Sequence, residues 1–316
     1  RSSQVTEAEN IPRSLFKIAK KLRRVHDHVQ ISLETDMKRV LFAGLLCAIL
    51  GVKGLPAAES GSVTNIDVPG ASGTFPLSIN DYGEVVGYCE MEGRIHGFTL
   101  KNGTFTILDI PPLPNPVGFV HTIITGINNR GDVVGFFVRE QEKVYRSFIY
   151  SRGVFTSLEF PGTKDTIARG INDLGDVVGV INQGSFLYSK GTFSRLPVPG
   201  GAVGINNKRQ IVGYFSDIDS HRAFIYQDGE LTMLPAVLGP FSNIPWGIND
   251  LGDVVLTGDA SSRMVIYSKG RLNAVHIPKS PVFLGGINNA GEVVGVYQSP
   301  EGEHGFVGHL KGRDDN

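Results

Sequence analysis

Cysteine is nearly absent: two in 316 residues, Cys47 and Cys89, which excludes a disulfide scaffold and any multi-cysteine zinc site. A basic excess is also missing, since the formal net charge is -1, and this argues against a nucleic-acid partner. Charged residues make up only 19% of the chain and tryptophan occurs once, at Trp246. The apolar run Val40 to Val52 spans about 20 Å as a helix against a bilayer core of about 30 Å, so no stable membrane span is expected. Beyond residue 58 there is no useful helical periodicity. That region also holds no Gly-x-Ser-x-Gly, no glycine-rich phosphate loop, no His-Glu-x-x-His and no cysteine pair. Wholesale disorder is excluded by what is present, because 41% of the residues are hydrophobic.

The chain divides into three parts. Residues 37–58 pair a charged start (Met37-Lys38-Arg39) with the apolar run and a small-residue exit at Ala57-Ala58, the pattern of a secretory signal peptide. Residues 1–36 read as an upstream extension, unstructured or not native. Residues 59–316 form the domain, with 20 Lys/Arg and 26 Asp/Glu, net -6. The expected location is periplasmic or extracellular.

Within that domain one pattern occurs six times, typified by Gly170-Ile-Asn-Asp-Leu-Gly-Asp-Val-Val-Gly179, with its isoleucine at positions 79, 127, 171, 205, 248 and 287. The spacings suit one propeller blade per repeat. Each unit reads as four short strands: A ending in Gly-Ile-Asn, an Asn/Asp-x-Gly turn, B built on Val-Val-Gly, C on small-Phe-x-Tyr, then a glycine turn into D. A tight turn on Asn182-Gln183 pairs Gly179 with Phe186, which gives that glycine a packing role. Arg209 takes the place of a turn glycine and is expected at positive φ or in a different turn. The sixth unit lacks a strand D, and residues 63–69 match one that has no A to C before it. The expected fold is all-β: a six-bladed propeller of four-stranded blades, closed by residues 63–69 completing the last blade.

The repeat, with its trailing His/Arg-small-Phe, resembles the HAF family of probable extracellular repeats. The triplet appears as His96-Gly97-Phe98, Arg146-Ser147-Phe148, Arg222-Ala223-Phe224 and His304-Gly305-Phe306; Gly184 and Arg263-Met264-Val265 depart from it. The resemblance implies an exported repeat protein and no particular chemistry.

Variation in length concentrates in the B–C and D–A loops, which share one face, and binding residues favour variable loops on a rigid frame. That face carries the candidate ligand-binding residues His96, His121, Arg146, His221, Arg222, Trp246, Arg263 and His304. Aromatic and Arg/His groups together suit a glycan or an anion. The repeated base that opens strand C is equally explained as a hydrogen-bonding group to the neighbouring blade. Asp217, Asp219 and His221 are weak metal candidates, and no cofactor or resident metal is expected. Arg130-Gly131-Asp132 follows from the repeat grammar, and Asn102-Gly103-Thr104 coincides with a C–D turn. The functional expectation is a monomeric, non-catalytic binding protein for a glycan or a protein partner. The alternative is a glycan-processing hydrolase or lyase at the channel mouth of the variable face.

Overall fold

A computed structural model describes residues 62–111, 120–139, 142–217, 220–236, 243–258, 264–275 and 281–310. The leader 37–58 and the upstream segment lie outside them. The described residues are all-β, and among them no helix is long and apolar enough to cross a membrane.

The chain begins with β1 (Ser62–Ile66) and continues through β2 (Gly73–Ile79), β3 (Val85–Met91), β4 (Arg94–Lys101) and β5 (Thr104–Ile107), the last four pairing antiparallel in sequence. The next meander is β6 (Val120–Ile127), β7 (Val133–Arg139), β8 (Tyr145–Ser151) and β9 (Val154–Leu158). It is followed by β10 (Thr166–Ile171), β11 (Val177–Ile181), β12 (Gly184–Ser189) and β13 (Thr192–Leu196). Then come β14 (Gly201–Ile205), β15 (Ile211–Asp217), β16 (Ser220–Gln227) and β17 (Glu230–Met233). The fifth meander is β18 (Pro245–Ile248), β19 (Val254–Thr257), β20 (Met264–Ser268) and β21 (Arg271–Val275). Finally β22 (Pro281–Ile287), β23 (Glu292–Ser299) and β24 (Gly302–His309) pair in order, and β1 adds antiparallel to β24 from Ser62↔His309 to Ile66↔Gly305. One parallel contact, Gly73↔Glu303, joins this last sheet to the first.

Connections are short for a chemical reason. In the turn between β4 and β5 both Asn102 and Gly103 have positive φ, 49° and 74°, the type I′ geometry that matches strand twist. Arg152-Gly153, Lys190-Gly191, Asp228-Gly229 and Lys269-Gly270 repeat it.

The core registers the sheets through a glycine and an aromatic. Gly179 lies opposite Phe186, as expected, and Gly87, Gly135, Gly213 and Gly295 lie opposite Phe98, Phe148, Phe224 and Phe306. All five phenylalanines are fully buried. A Cβ on Gly179 would stand 2.1 Å from the Ile167 carbonyl and 2.9 Å from the Phe186 ring. The fifth unit departs at both places at once: Leu256 faces Val265, so the smaller residue on one strand is matched by a larger one on the other. This predicts coupling. Val265→Phe alone should destabilise by about 1–3 kcal/mol through overpacking, and Leu256→Gly alone by more through a cavity. The double variant should cost at least about 1 kcal/mol less than the sum. Denaturant melts of the four proteins check this, and strict additivity would show that the two sites do not share their space.

Candidate functional site

Six Ile-Asn turns meet at one end of the molecule. Each asparagine uses its whole amide. Asn172 Oδ1 accepts the Leu174 and Asp176 amides, while its Nδ2 donates to Asp176 and to the Asn206 carbonyl of the next sheet. The same link runs from Asn80 to Asn128, Asn128 to Asn172, Asn206 to Asn249, Asn249 to Asn288, and Asn288 back to Asn80. These six asparagines are all buried. The acids that follow the turns are thereby partnered inside their own hairpins, and not by the bases at the far end.

The next residue of each turn forms a second circuit, in which Asp81, Asn129, Asp173, Asn207, Asp250 and Asn289 alternate strictly. Each Asn donates Nδ2 to the Oδ2 atoms of both flanking aspartates at 2.8–3.2 Å. Each residue also donates its backbone N–H to the next side chain's Oδ1 at 2.7–2.9 Å. Three carboxylates thus accept from three amide groups, with no like pair adjacent. Treating this position as generic turn chemistry missed the circuit; the Asp/Asn alternation was the signal that could have revealed it.

Arg209 has φ +60°, and its guanidinium Nε lies 2.8 Å from Asp176 of the preceding unit, whose side chain is 1% exposed. Burial, the largest influence, pushes Asp176 upward; hydrogen bonds from Arg209, Ser189 and Asn172 and the Arg209 charge outweigh it, so the net shift is downward. Asp132 is lowered in the same way: burial opposes, and Ser151, Asn128 and Arg130 prevail. A lowered folded pKa gives stability that is present above the ordinary carboxylate value of about 4 and lost as pH falls through the lowered one. Arg209→Gly and Arg209→Ala both remove the ion pair, so both should move acid unfolding to higher pH. The glycine variant should be about 1 kcal/mol more stable than the alanine variant, because only alanine keeps the strain of positive φ. Equal urea midpoints for the two would show that no strain is stored there.

Behind the turns the six isoleucines form an apolar collar, since Ile79, Ile127, Ile171, Ile205, Ile248 and Ile287 line cavities on both of its sides. The inner cavity, of about 80 Å³, lies on the side of the residues that precede the isoleucines in the innermost strands. The innermost strands approach closely there: a Cβ on Gly247 would stand 2.8 Å from Gly286 Cα. Each of these strands carries a bulge just before the collar. In β10 the register steps from Ala168↔Gly179 to Gly170↔Val178, leaving Arg169 as the extra residue; in β18 it steps from Pro245↔Leu256 to Gly247↔Val255, leaving Trp246. Leu77, Thr125 and Val203 occupy the corresponding places, and all five line the cavity. A bulge re-aims a side chain that strict alternation would send elsewhere.

The residues anticipated from sequence are dispersed. Of those described, only Trp246 lines this cavity, its ring edge-on to Phe283 at 4.3 Å between centroids. His121 Nδ1 accepts the Ile95 amide at 3.2 Å and so ties β6 to β4. His221 is buried edge-on against Tyr214 and bonded to Ser216. Arg222 is exposed. The bases opening strand C bond acids of their own sheet, which corrects the expected link to a neighbouring blade: His96 to Asp109 at 2.6 Å, and His304 to Asp67 at 3.0 Å. Arg146 pairs with Glu142 and lies 3.9 Å from Glu159. Asp67, Asp109 and Glu159 hold one repeat position, just beyond strand D, and sequence reasoning did not connect them to the bases. Arg263 and Asp219 lie outside the described residues, and among the described residues no group of three His, Cys, Asp or Glu could hold a metal ion. Cys89 is fully buried, and burial, with the charges of Asp109 and Glu90, pushes its thiol up to about 12, which leaves it unreactive.

No family model and no curated protein matches the chain. The HAF resemblance therefore rests on the motif residues alone. Among solved structures the chain is similar to a catalytically inactive virginiamycin B lyase from Staphylococcus aureus with quinupristin, at 14% identity and TM-score 0.46, covering 78% of this chain and 99% of that one. It is similar to Aleuria aurantia lectin in complex with Fucα1-6GlcNAc, at 9% identity and TM-score 0.45, covering 76% and 93%. It is also similar to a gluconolactonase from Xanthomonas campestris, at 10% identity and TM-score 0.47, covering 83% and 99%. At these levels the likenesses carry no argument about chemistry.

Proposed function

We propose that the chain is an exported, monomeric six-bladed β-propeller of the HAF type, whose loop-variable face binds a glycan or a protein partner without transforming it. Six Ile-Asn turns in one circuit support six blades, and the pairing of β1 with β24 supports closure by the N-terminal strand. The observation that carries the binding role is the contrast between the two ends of the axis. At the turn end, the polar groups of both circuits satisfy one another. Beyond the isoleucine collar a cavity lies among the innermost strands and is lined by Trp246 and Arg169.

The test has two parts. A fusion of residues 37–58 to a phosphatase that is active only after export should give periplasmic activity; an inactive fusion retained in the cytoplasm would remove the export claim. The purified chain is then screened on a glycan array and by thermal shift, and each hit is chromatographed for products. A saturable hit with no product, weakened by Arg222→Ala on the exposed face, supports binding. Product formation would replace this reading by a glycan hydrolase or lyase. Absence of glycan hits would exclude the glycan and leave the protein partner.

A further inference from the structure

The inner cavity contains hydrogen-bond donors that lack acceptors. Arg169 lines it, and no hydrogen bond or ion pair is made to its guanidinium among the described residues. Trp246, on a different sheet, lines the same cavity, and its Nε1–H is buried with no partner among the described residues. Both groups only donate. An unsatisfied buried donor costs roughly 1–3 kcal/mol, so the Trp246 indole is a liability unless an acceptor joins it, and the half-buried Arg169 guanidinium in the same cavity supplies the positive charge that would hold an anionic one. Among the described residues no carboxylate compensates the charge: burial pushes the guanidinium pKa down, and Tyr214 is the titratable group that acts the other way. Arginine keeps its proton regardless. Both side chains are displaced from regular alternation by β-bulges, so the fold places them deliberately on the axis. The Thr125 hydroxyl, also in the lining, already bonds the Ala168 carbonyl at 2.9 Å.

We propose that the axial cavity is a carboxylate-binding site, in which the Arg169 guanidinium takes the carboxylate through its planar fork and the Trp246 indole N–H donates to the same group. A fork of parallel N–H donors matches a carboxylate better than a point charge does. The cavity, about 80 Å³, admits a carboxylate head and little more. The carboxylate is therefore either a small free acid or the acid group of a uronic sugar whose remainder stays outside. This inference rests on the reading of the loop-variable face as a binding face, but the acetate titration needs only the cavity and can succeed while the surface screen fails.

Trp246 is the only tryptophan, so intrinsic fluorescence reports on the site directly. The purified full chain is titrated at constant ionic strength with acetate, with glucuronate, and with glucose and methyl glucuronate as uncharged controls. The expected result is a saturable fluorescence change and a rise in melting temperature with a carboxylate, and neither with the uncharged controls. A response to acetate identifies a small free acid as sufficient; a response to glucuronate alone identifies the sugar acid. Arg169→Leu should weaken binding by about 10–100-fold, as for a hydrogen bond to a charged group. Without carboxylate this variant should melt no lower than the parent, because it removes a half-buried cation that makes no ion pair among the described residues. Trp246→Phe, followed by calorimetry, should weaken binding by up to about tenfold while keeping an aromatic ring against Phe283. No saturable response to either acid, or an undiminished response in Arg169→Leu, would overturn the proposal. An Arg222→Ala variant that loses a surface ligand while keeping the acetate response would separate the two sites.

Discussion

Asn207→Asp should destabilise the protein by about 3 kcal/mol or more at neutral pH, and the loss should shrink as the solution is acidified. Asn207 Nδ2 donates to Asp173 and to Asp250, both at 2.8 Å. The substitution exchanges an amide for oxygen at the point where two carboxylates converge. Two hydrogen bonds to charged acceptors vanish, each worth about 1.5–3 kcal/mol, and like charges replace them. The introduced carboxyl would have a raised folded pKa. Its sign is therefore opposite to that of Asp176: the variant's relative stability recovers as pH falls toward about 5–4, where carboxyls take up protons. Asn207→Ala separates the components, since it loses the same bonds without adding charge, and it should cost less than the Asp variant with a flatter pH dependence. Urea melts at neutral pH and near pH 4.5 measure this. An Asp variant no worse than the Ala variant at both pH values would mean that the circuit does not hold its geometry in solution.

Deleting residues 62–68 should produce the second large effect. β1 contributes five paired positions along β24, buries Ile66, and is followed by the buried Val68. Asp67 goes with it, together with its bonds to the His304 ring and the Gly305 amide. Two buried aliphatic side chains contribute about 3–6 kcal/mol between them, and an open edge on β24 invites aggregation. The expected result is a fall in melting temperature of more than about 10 °C, on a scale of about 2–4 °C per kcal/mol for a domain of this size. Fast hydrogen exchange should be concentrated in β22 to β24. A synthetic peptide of residues 62–68 supplied in excess should recover part of the loss. Unchanged melting together with unchanged exchange in β24 would show that the strand is dispensable.

Much of the fold can be read in the chain because the local chemistry is repeated and consistent. Turn glycines, paired valines and the Gly–Phe opposition each specify the same register, and the short turn at Asn182-Gln183 leaves little freedom for the third sheet. Strain at Arg209 follows from its place in the turn. The candidate site was less legible for two physical reasons. A β-bulge shifts the phase of a strand by one residue, so alternation cannot announce that Arg169 points to the axis while Ala168 lies in the core. The cavity also assembles residues from separate sheets, and no sequence spacing encodes that meeting. Trp246 drew attention as the lone tryptophan, whereas Arg169 sat unremarked before a repeated Gly-Ile. The bases of strand C stood out by repetition, yet the acids that hold His96 and His304 explain them structurally.

The alternation of Asp81, Asn129, Asp173, Asn207, Asp250 and Asn289 imposes a parity rule on the molecule. A circle of donors and acceptors can close without a mismatch only if it has an even number of members. Gain or loss of a single repeat would set two carboxylates, or two amides, side by side at the seam. The heritable unit of growth in this architecture is therefore a pair of repeats, one ending its turn in Asp and the other in Asn. Spliced variants with an added or excised pair should fold more readily than those changed by one.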